Sequence, residues 1–568
     1  MIGYSTVPDK AVSIVRGIPL EEEPGLGSLT LSGFIREVTR MYGSREAIAQ
    51  PRPEGLVERW TYDDLWTRSM DVARALVACG TGKATRVGIL MTNRAEFVSA
   101  VFGTALAGGI ATPLSTFSTP AELDHLIAAS ACSVLLVEPR VRKKDFVAII
   151  GELAPEIASA GPGRIVSLKY PFLRHVVSLD RDAPAGGIEP WAGFLAHGAG
   201  VSEEQVEARA ATVMPADPGV LFFSSGTTGR PKGILSAHRA VSIQLWRWPR
   251  IFGVPGPERC WSVNGFFWSG PFGMALGTAL SRGGTLVMQS TFDAEEALSL
   301  MASEKVTIPF GWPHQWAQLE GAPNWNDVDL SALHCVAAEN PLSKHPTVKT
   351  DWQEPTRIYG NTETFTLSSA YPSGTPKEII GDAWGFPLPG MTFKIVDPFT
   401  GKVMPMGERG EIAVKGATLM LGYIGVPLDE TLDDEGFFRT GDGGYADEQG
   451  RIYWEGRLND IIKTGGANVS PVEIDAILIQ CPGVRLVQTV GVPDDLLGEL
   501  VVACIVLQDG ASLDEEAVRN FAKEKIASYK VPRRVLFFAE KQFSTTGSAK
   551  VKTAQMRKLA AERLKVPA

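Results

Sequence analysis

LFFSSGTTGRPKGI, residues 221–234, joins an apolar strand to a loop of small, hydroxyl-bearing and cationic residues. Leu221, Phe222 and Phe223 have the character of a buried strand. Ser224, Ser225, Gly226, Thr227, Thr228 and Gly229 follow, and Arg230, Pro231, Lys232 and Gly233 close the loop. Glycines free the backbone and leave its N–H groups open to an anion. The hydroxyls add donors with little bulk, and Arg230 and Lys232 add positive charge, so the loop suits a polyphosphate. It is not the GxxxxGK[ST] phosphate loop, because counted from Gly226 the second Gly is replaced by Pro231, and Gly233 rather than Ser or Thr follows Lys232. A Ser/Gly-rich surface loop has the same composition. What sets this one apart is the buried-type strand before it and the Pro-Lys-Gly after it.

The chain has 568 residues, 44% hydrophobic and 21% charged. That is too long for one core, so two or more domains are expected. A net charge of −9 argues against a nucleic-acid partner, and any small anion would need a local cationic site. Cys79, Cys132, Cys260, Cys335, Cys481 and Cys504 are scattered, with no CxxC pair and no close Cys/His cluster pointing to zinc. Buried thiols in a reducing compartment are expected. MIGYSTVPDKAVSIVRG at the N-terminus holds no long apolar run, so no signal peptide is expected. No stretch of about eighteen apolar residues suggests a membrane span. These readings point to the cytoplasm.

From about Trp60, strands and helices alternate. RVGILMTN (86–93), CSVLLVE (132–138), TLVMQS (285–290), TIPFGW (307–312) and LHCVAA (333–338) read as continuous apolar strands. Residues 95–109 and 293–306 carry apolar positions at helical spacing. Strands apolar on both faces between amphipathic helices argue for α/β layers with covered sheets. After about Gly456 the pattern restarts on a smaller scale. A helix is expected over 471–479, strands over 485–492, 500–507 and 534–539, and a helix over 514–526. The expected fold class is therefore α/β, with a large multilayer N-terminal domain (1–456) and a smaller α+β C-terminal domain (457–568). The boundary falls near Arg457–Asn459.

Four further clusters suggest chemistry. Tyr359-Gly360-Asn361-Thr362-Glu363-Thr364 offers an aromatic face, a glycine, a hydroxyl and a carboxylate that can hold Mg²⁺. Phe437 to Tyr445 sets Asp442 on what reads as a glycine turn, where a carboxylate can accept from ribose hydroxyls or simply from turn amides. Residues 456–475 contain Arg457 at the domain junction and Gly465-Gly466 before a helix whose start is marked by Ser470-Pro471. Thr545-Thr546-Gly547-Ser548-Ala549-Lys550 presents a lysine on a small-residue loop, able to neutralise developing charge.

In this order and at these separations the clusters resemble the adenylate-forming superfamily of acyl-CoA synthetases, aryl-CoA ligases and luciferases, over nearly the whole chain from Trp60 to Lys550. The resemblance implies a mobile C-terminal domain and two half-reactions. In the first, a carboxylate attacks the α-phosphate of MgATP to give acyl-adenylate and pyrophosphate. In the second, a thiol displaces AMP. It further implies that Ser225, Gly226, Thr227, Thr228, Gly229 and Lys232 hold the β- and γ-phosphates. Tyr359, beside Gly360, would stack on adenine. Thr362 would contact the α-phosphate, Glu363 would ligate Mg²⁺, Asp442 would hold the ribose with Arg457 nearby, and Lys550 would bridge carboxylate and α-phosphate. Gly465-Gly466-Ala467-Asn468-Val469-Ser470-Pro471 matches the turn that lines the pantetheine tunnel in the CoA-ligase branch, so CoA is the implied acceptor, with a carrier-protein thiol as the variant. The resemblance also suggests a homodimer.

Four features depart from the family pattern. Trp268, after Phe267 in GFFWSG, stands where many acyl and aryl ligases carry His. Ala337-Ala338-Glu339-Asn340-Pro341-Leu342 replaces a run of smaller residues beside adenine, which makes Glu339 and Asn340 candidate pocket residues. Asn459 occupies the hinge position usually held by Asp or Lys. STTGSAK lacks the usual Pro and final Gly before Lys550. The aromatic-rich stretch 246–272 and the absence of an acid from GFFWSG favour an apolar fatty, aryl or cyclic acid. Two alternatives stand beside acyl-CoA ligation: a same-fold enzyme that only forms thioester from a supplied acyl-adenylate, and a non-catalytic nucleotide-binding protein.

Overall fold

A computed structural model describes residues 12–52, 55–180, 185–224, 231–355, 357–458, 460, 462–464, 467–494, 497–526, 530–543 and 553–565. Its centre is an eight-stranded sheet ordered Ile188–Pro190, His175–Ser178, Val134–Val137, Arg86–Leu90, Ile110–Pro113, Pro218–Phe223, Gly233–Ala237 and Gly422–Tyr423. The first six strands run parallel, and each of the last two pairs antiparallel with the strand before it. Val134–Val137 and Ile110–Pro113 are buried at every residue, as strands covered on both faces must be.

A second sheet, ordered Ile308–Phe310, Arg259–Ser262, Thr285–Met288, Glu46–Pro51 and Val57–Thr61, is parallel but for its last strand. The helix Ala95–Leu106 is buried at every residue except Glu96, the mark of a helix enclosed by packed layers rather than lying at the surface. Its neighbour Tyr62–Ala78 is started by a reciprocal cap between Thr61 and Asp64. An antiparallel sheet of Ile14–Arg16, Met391–Val396, Gly410–Gly416, Phe438–Ala446 and Ile452–Arg457 completes the large domain.

The small C-terminal domain has its own sheet. Ala467–Val469, Ile462–Thr464, Gly498–Leu507 and Val484–Asp494 pair antiparallel, and Arg534–Phe537 joins parallel to Gly498–Leu507. Helices Pro471–Leu478, Glu515–Lys523 and Thr553–Lys565 cover it. Ser470 caps the first of these, accepting from the Glu473 amide with Pro471 in the first turn, where a proline loses no helical hydrogen bond. Most strands and helices fall where apolar patterning puts them.

Two local expectations fail. LHCVAA is not a strand; its backbone bends so that both His334 N and Cys335 N donate to the Thr307 carbonyl. Asp442 lies in the nine-residue strand Phe438–Ala446 rather than on a turn. The glycines read as a turn signal serve a kink within it, with Gly441 at φ 72° and an irregularity in pairing with Gly410–Gly416. Among the described residues, no helix is long and apolar enough to cross a membrane. Cys132, Cys260, Cys335, Cys481 and Cys504 are buried and Cys79 is half-buried, all as free thiols.

Candidate active site

The phosphate-type loop spans a hairpin between Pro218–Phe223 and Gly233–Ala237. Its base is tied twice: Ser224 N donates to the Lys232 carbonyl at 3.0 Å, and Lys232 N donates to Ser224 Oγ at 3.2 Å. Ser225, Gly226, Thr227, Thr228, Gly229 and Arg230 lie outside the described residues, as do Asn459, Gly465, Gly466 and Lys550. The Lys232 side chain is exposed, with its ammonium over the Tyr423 ring at 5.1 Å. Tyr423 arrives there because Gly422–Tyr423 pairs with Gly233–Ala237, residue 423 opposite Ile234.

The same tyrosine reaches the next cluster. Its hydroxyl donates to Glu363 Oε1 at 2.7 Å. Burial, then the Glu363 charge, raises the Tyr423 hydroxyl above the usual phenol range, so it stays a donor. Glu363 sits on a single 3₁₀ turn, Thr362–Thr364, where Asn361 Oδ1 accepts from Thr364 N at 2.9 Å. Met420 N fixes the turn from the other side by donating to the Glu363 carbonyl at 2.7 Å. The loop bearing the turn is closed at its ends by Tyr359 and Ser369, which exchange backbone hydrogen bonds of 3.0 and 3.1 Å. Phe365 and Thr366 follow at φ 47° and 81°. A left-handed β-branched residue costs on the order of 1–3 kcal/mol and is concentrated at functional loops. Gly360 is required by proximity: a Cβ there would lie 1.4 Å from the Thr366 carbonyl oxygen.

Glu363 Oε2 has no protein partner among the described residues, and a half-buried carboxylate oxygen of this kind suits a hard divalent cation such as Mg²⁺. Thr362 Oγ1 accepts a 3.5 Å contact from Ser269 Oγ, which joins this turn to the segment carrying Trp268.

At the start of the loop, Tyr359 is buried between Phe393 and Trp454. Its hydroxyl donates to Asp442 Oδ2 at 2.7 Å. Arg457 Nε faces Asp442 Oδ1 at 3.1 Å, because Asp442 and Arg457 are register partners across two strands. Arg457 Nη1 also donates to the Thr440 carbonyl at 2.6 Å. Burial and the neighbouring Asp442 charge push the Tyr359 hydroxyl well above its ordinary range. Asp442 is only 3% exposed, and each of its oxygens retains capacity for a further donor such as a sugar hydroxyl.

Trp268 and Phe267 form a wall with Phe117, which the sequence reading overlooked. Phe117 contacts the Phe267 ring edge-on at 5.5 Å and the Trp268 ring at 5.5 Å, and Phe267 meets Trp268 at 4.8 Å. Lys144 Nζ anchors the Phe117 loop by donating to the carbonyls of Thr116 and Ser118 at 3.1 and 2.8 Å. Beyond Trp268 the chain passes through a π turn, Phe272–Leu276, a departure from α geometry common at functional sites. Glu339 and Asn340 make no described contact with these clusters. Glu339 pairs with Lys377 on the surface, and Asn340 Oδ1 caps a turn through Leu342 N at 3.0 Å.

The structure thus unites Lys232, Glu363, Thr362, Tyr359, Asp442 and Arg457 in linked clusters. Tyr423 and Phe117 are additions; in sequence each is a lone aromatic beside small residues (LGYIG, STFST), with no motif to flag it. Cations and hydroxyls for an anion, a carboxylate for a cation, and a buried Tyr–Asp–Arg set are the parts a nucleotide would need.

Comparison with known proteins agrees. Residues 35–424 match the family model described as AMP-binding enzyme, and residues 473–550 match that of the AMP-binding enzyme C-terminal domain. Medium-chain acyl-CoA ligase ACSF2, mitochondrial, of Danio rerio is 29% identical over 555 residues, covering 95% of this chain and 90% of that protein. The 3-[(3aS,4S,7aS)-7a-methyl-1,5-dioxo-octahydro-1H-inden-4-yl]propanoyl:CoA ligase of Mycobacterium tuberculosis is 30% identical over 512 residues, covering 88% and 94%. The crystal structure of ATP-bound MatB from Rhodopseudomonas palustris superposes with a TM-score of 0.74 at 24% identity, covering 94% of this chain and all of the other.

Proposed function

Because this chain belongs to the AMP-binding enzyme family and is an AMP-forming acyl-CoA synthetase with ATP and CoA as substrates, we propose that the acid it activates is apolar, of fatty, aryl or cyclic type. The observation that carries this reading is the wall of Phe117, Phe267 and Trp268, joined through Ser269 to Thr362. Relatives named for a medium-chain acid and for a ring-bearing propanoate support it.

In this reading the phosphate end of ATP lies against the hairpin loop and Lys232. Thr362 donates its hydroxyl to the α-phosphate, and Asp442, oriented by Tyr359 and Arg457, accepts from the ribose. Mg²⁺ held by Glu363 would supply charge neutralisation between the phosphates and the incoming carboxylate. The barrier to adenylation is mutual repulsion of two anions, so the chain's work is positioning and electrostatic compensation. Lys550 neutralises the carboxylate and α-phosphate as they meet. Pyrophosphate leaves, the acyl-adenylate remains beside the aromatic wall, and a thiol then displaces AMP. Residues 457–568 act as the mobile unit, hinged at Asn459 just after Arg457, with Gly465 and Gly466 contributing to the path of pantetheine.

A paired assay tests the proposal. Fatty, aryl and cyclic acids are offered with MgATP and pyrophosphate release is followed; separately, synthetic acyl-AMP is offered with CoA and thioester is measured. Turnover in both arms with apolar acids is expected. Thioester only in the second arm would overturn adenylation. A preference for charged or amino acids would overturn the apolar pocket.

A further inference from the structure

Glu258 is far in sequence from the adjacent pair His334 and Cys335, and none of the three takes part in the chemistry above, yet their ligand atoms all lie within 4.8 Å of one another. Glu258 and Cys335 are 5% and 2% exposed, while His334 opens to solvent. One frame holds all three in place. Thr307 N donates to the Arg259 carbonyl at 3.0 Å, and Arg259 N donates to Thr307 Oγ1 at 2.8 Å, which fixes the strand that Glu258 precedes. The Thr307 carbonyl accepts from both His334 N and Cys335 N, at 3.2 and 3.1 Å. Thr285 N fixes Glu258 itself by donating to its carbonyl at 2.9 Å.

The imidazole is aimed. His334 Nδ1 lies 3.1 Å from the Ala332 carbonyl, which can only accept, so this nitrogen carries the hydrogen. That is the usual outer hydrogen bond of a metal-ligating histidine, one that turns the other nitrogen's lone pair towards the metal. Nε2 then faces the Glu258 carboxylate at 3.1 Å, again an acceptor. The space between them calls for a positive centre, either a proton or a metal ion. The Cys335 sulfur beside both is a ligand for a metal and a poor partner for a proton.

We propose that Glu258, His334 and Cys335 form a binding site for one divalent cation of borderline softness, of which Zn²⁺ is the type. Nitrogen, thiolate and carboxylate are its ordinary ligands, and a water completes the tetrahedron on the open His334 side. Binding converts the thiol to thiolate and releases its proton to solvent. The ion straps the segment from His334 to Leu342 onto the strand Arg259–Ser262, whose far end leads to Trp268. No spacing rule exposes such a site, because Glu258 lies far in sequence from the adjacent pair His334–Cys335.

The test uses the full chain stripped with a chelator. Zn²⁺ is titrated against a chromophoric competitor, and Co²⁺ is added separately to read its visible spectrum. One equivalent of Zn²⁺ per chain is expected, with a thiolate-to-cobalt charge-transfer band. His334→Ala, at an exposed position, should leave the protein folded by circular dichroism and weaken Zn²⁺ by at least roughly 100-fold, the upper end of what even outer-ligand losses cost. Cys335→Ser should abolish the charge-transfer band while Cys260→Ser keeps it. Absence of stoichiometric binding, binding unchanged in His334→Ala, or a band lost only in Cys260→Ser would each overturn the proposal; the first would leave an imidazolium–carboxylate ion pair in its place.

Discussion

Replacing Gly360 by Ala should disable adenylation without unfolding the protein. The added Cβ would stand 1.4 Å from the Thr366 carbonyl oxygen, where real contacts essentially never fall under 3.0 Å, so the two strands of the loop must part by about 1.6 Å. Both sides of the overlap are backbone, so no rotamer change relieves it. The part that moves carries Thr362 and Glu363 on a single turn. A misplacement of about 1 Å is worth roughly 10²-fold in rate, or about 2.7 kcal/mol of barrier. Pyrophosphate release with a good acid and saturating MgATP should therefore fall at least about 100-fold. Circular dichroism should stay native, because the loop is pinned at its ends by Tyr359 and Ser369 and the displacement is confined between them. A kcat within about threefold of the parent, with the protein folded, would refute the claim that this turn sets the reacting geometry.

Tyr359→Phe keeps the ring but leaves the buried Asp442 carboxylate without its 2.7 Å donor; hydrogen bonds to charged groups are worth about 1.5–3 kcal/mol, so KM for ATP should rise at least tenfold, measured at fixed acid. Glu363→Gln can still accept from Tyr423 yet offers no charge to a cation, and should raise the Mg²⁺ concentration needed for half-maximal pyrophosphate release. Lys550→Ala should slow adenylation far more than thioester formation from supplied acyl-AMP; equal losses would contradict its role. Burial lowers the His238 imidazole to about 4, and its Nδ1 accepts from Leu31 N at 3.3 Å. Its folded value lies below the unfolded 6.5, so the stability it contributes is complete above 6.5 and declines as pH falls towards 4. The urea midpoint should drop across that window, and less so in His238→Asn.

What could be read from sequence followed from patterns that one residue's neighbours determine. Val134–Val137 is apolar at every position and could only be a covered strand, and Ser470-Pro471 marked a helix start because capping is local chemistry. LHCVAA has the same apolar look but does not join the sheet; Thr307, just before the edge strand Ile308–Phe310, draws the His334 and Cys335 amides to one carbonyl, a fact of tertiary placement. Asp442 lies in a strand where a turn is expected, since a glycine-rich run signals a turn and a strand kink equally. Tyr423 and Phe117 were illegible because their importance comes from strand pairing and ring contact with residues far away in sequence. Trp268 stood out only against the family pattern, and the structure supplies its partners.

The pairing of Gly422–Tyr423 with Gly233–Ala237 also sets the order in which this protein can be made. The earlier strand is synthesised about 185 residues before the one that covers its edge. At about 5–20 residues per second, that edge waits roughly 10–40 s on the ribosome. Throughout this interval its unpaired backbone groups can recruit another nascent chain. Lys232 and Glu363 exist by then as isolated charges, and Tyr423 is the late arrival that joins them. Truncations ending before residue 422 should therefore aggregate through the core of the site itself, and nucleotide affinity should appear only once the chain also extends past Asp442 and Arg457.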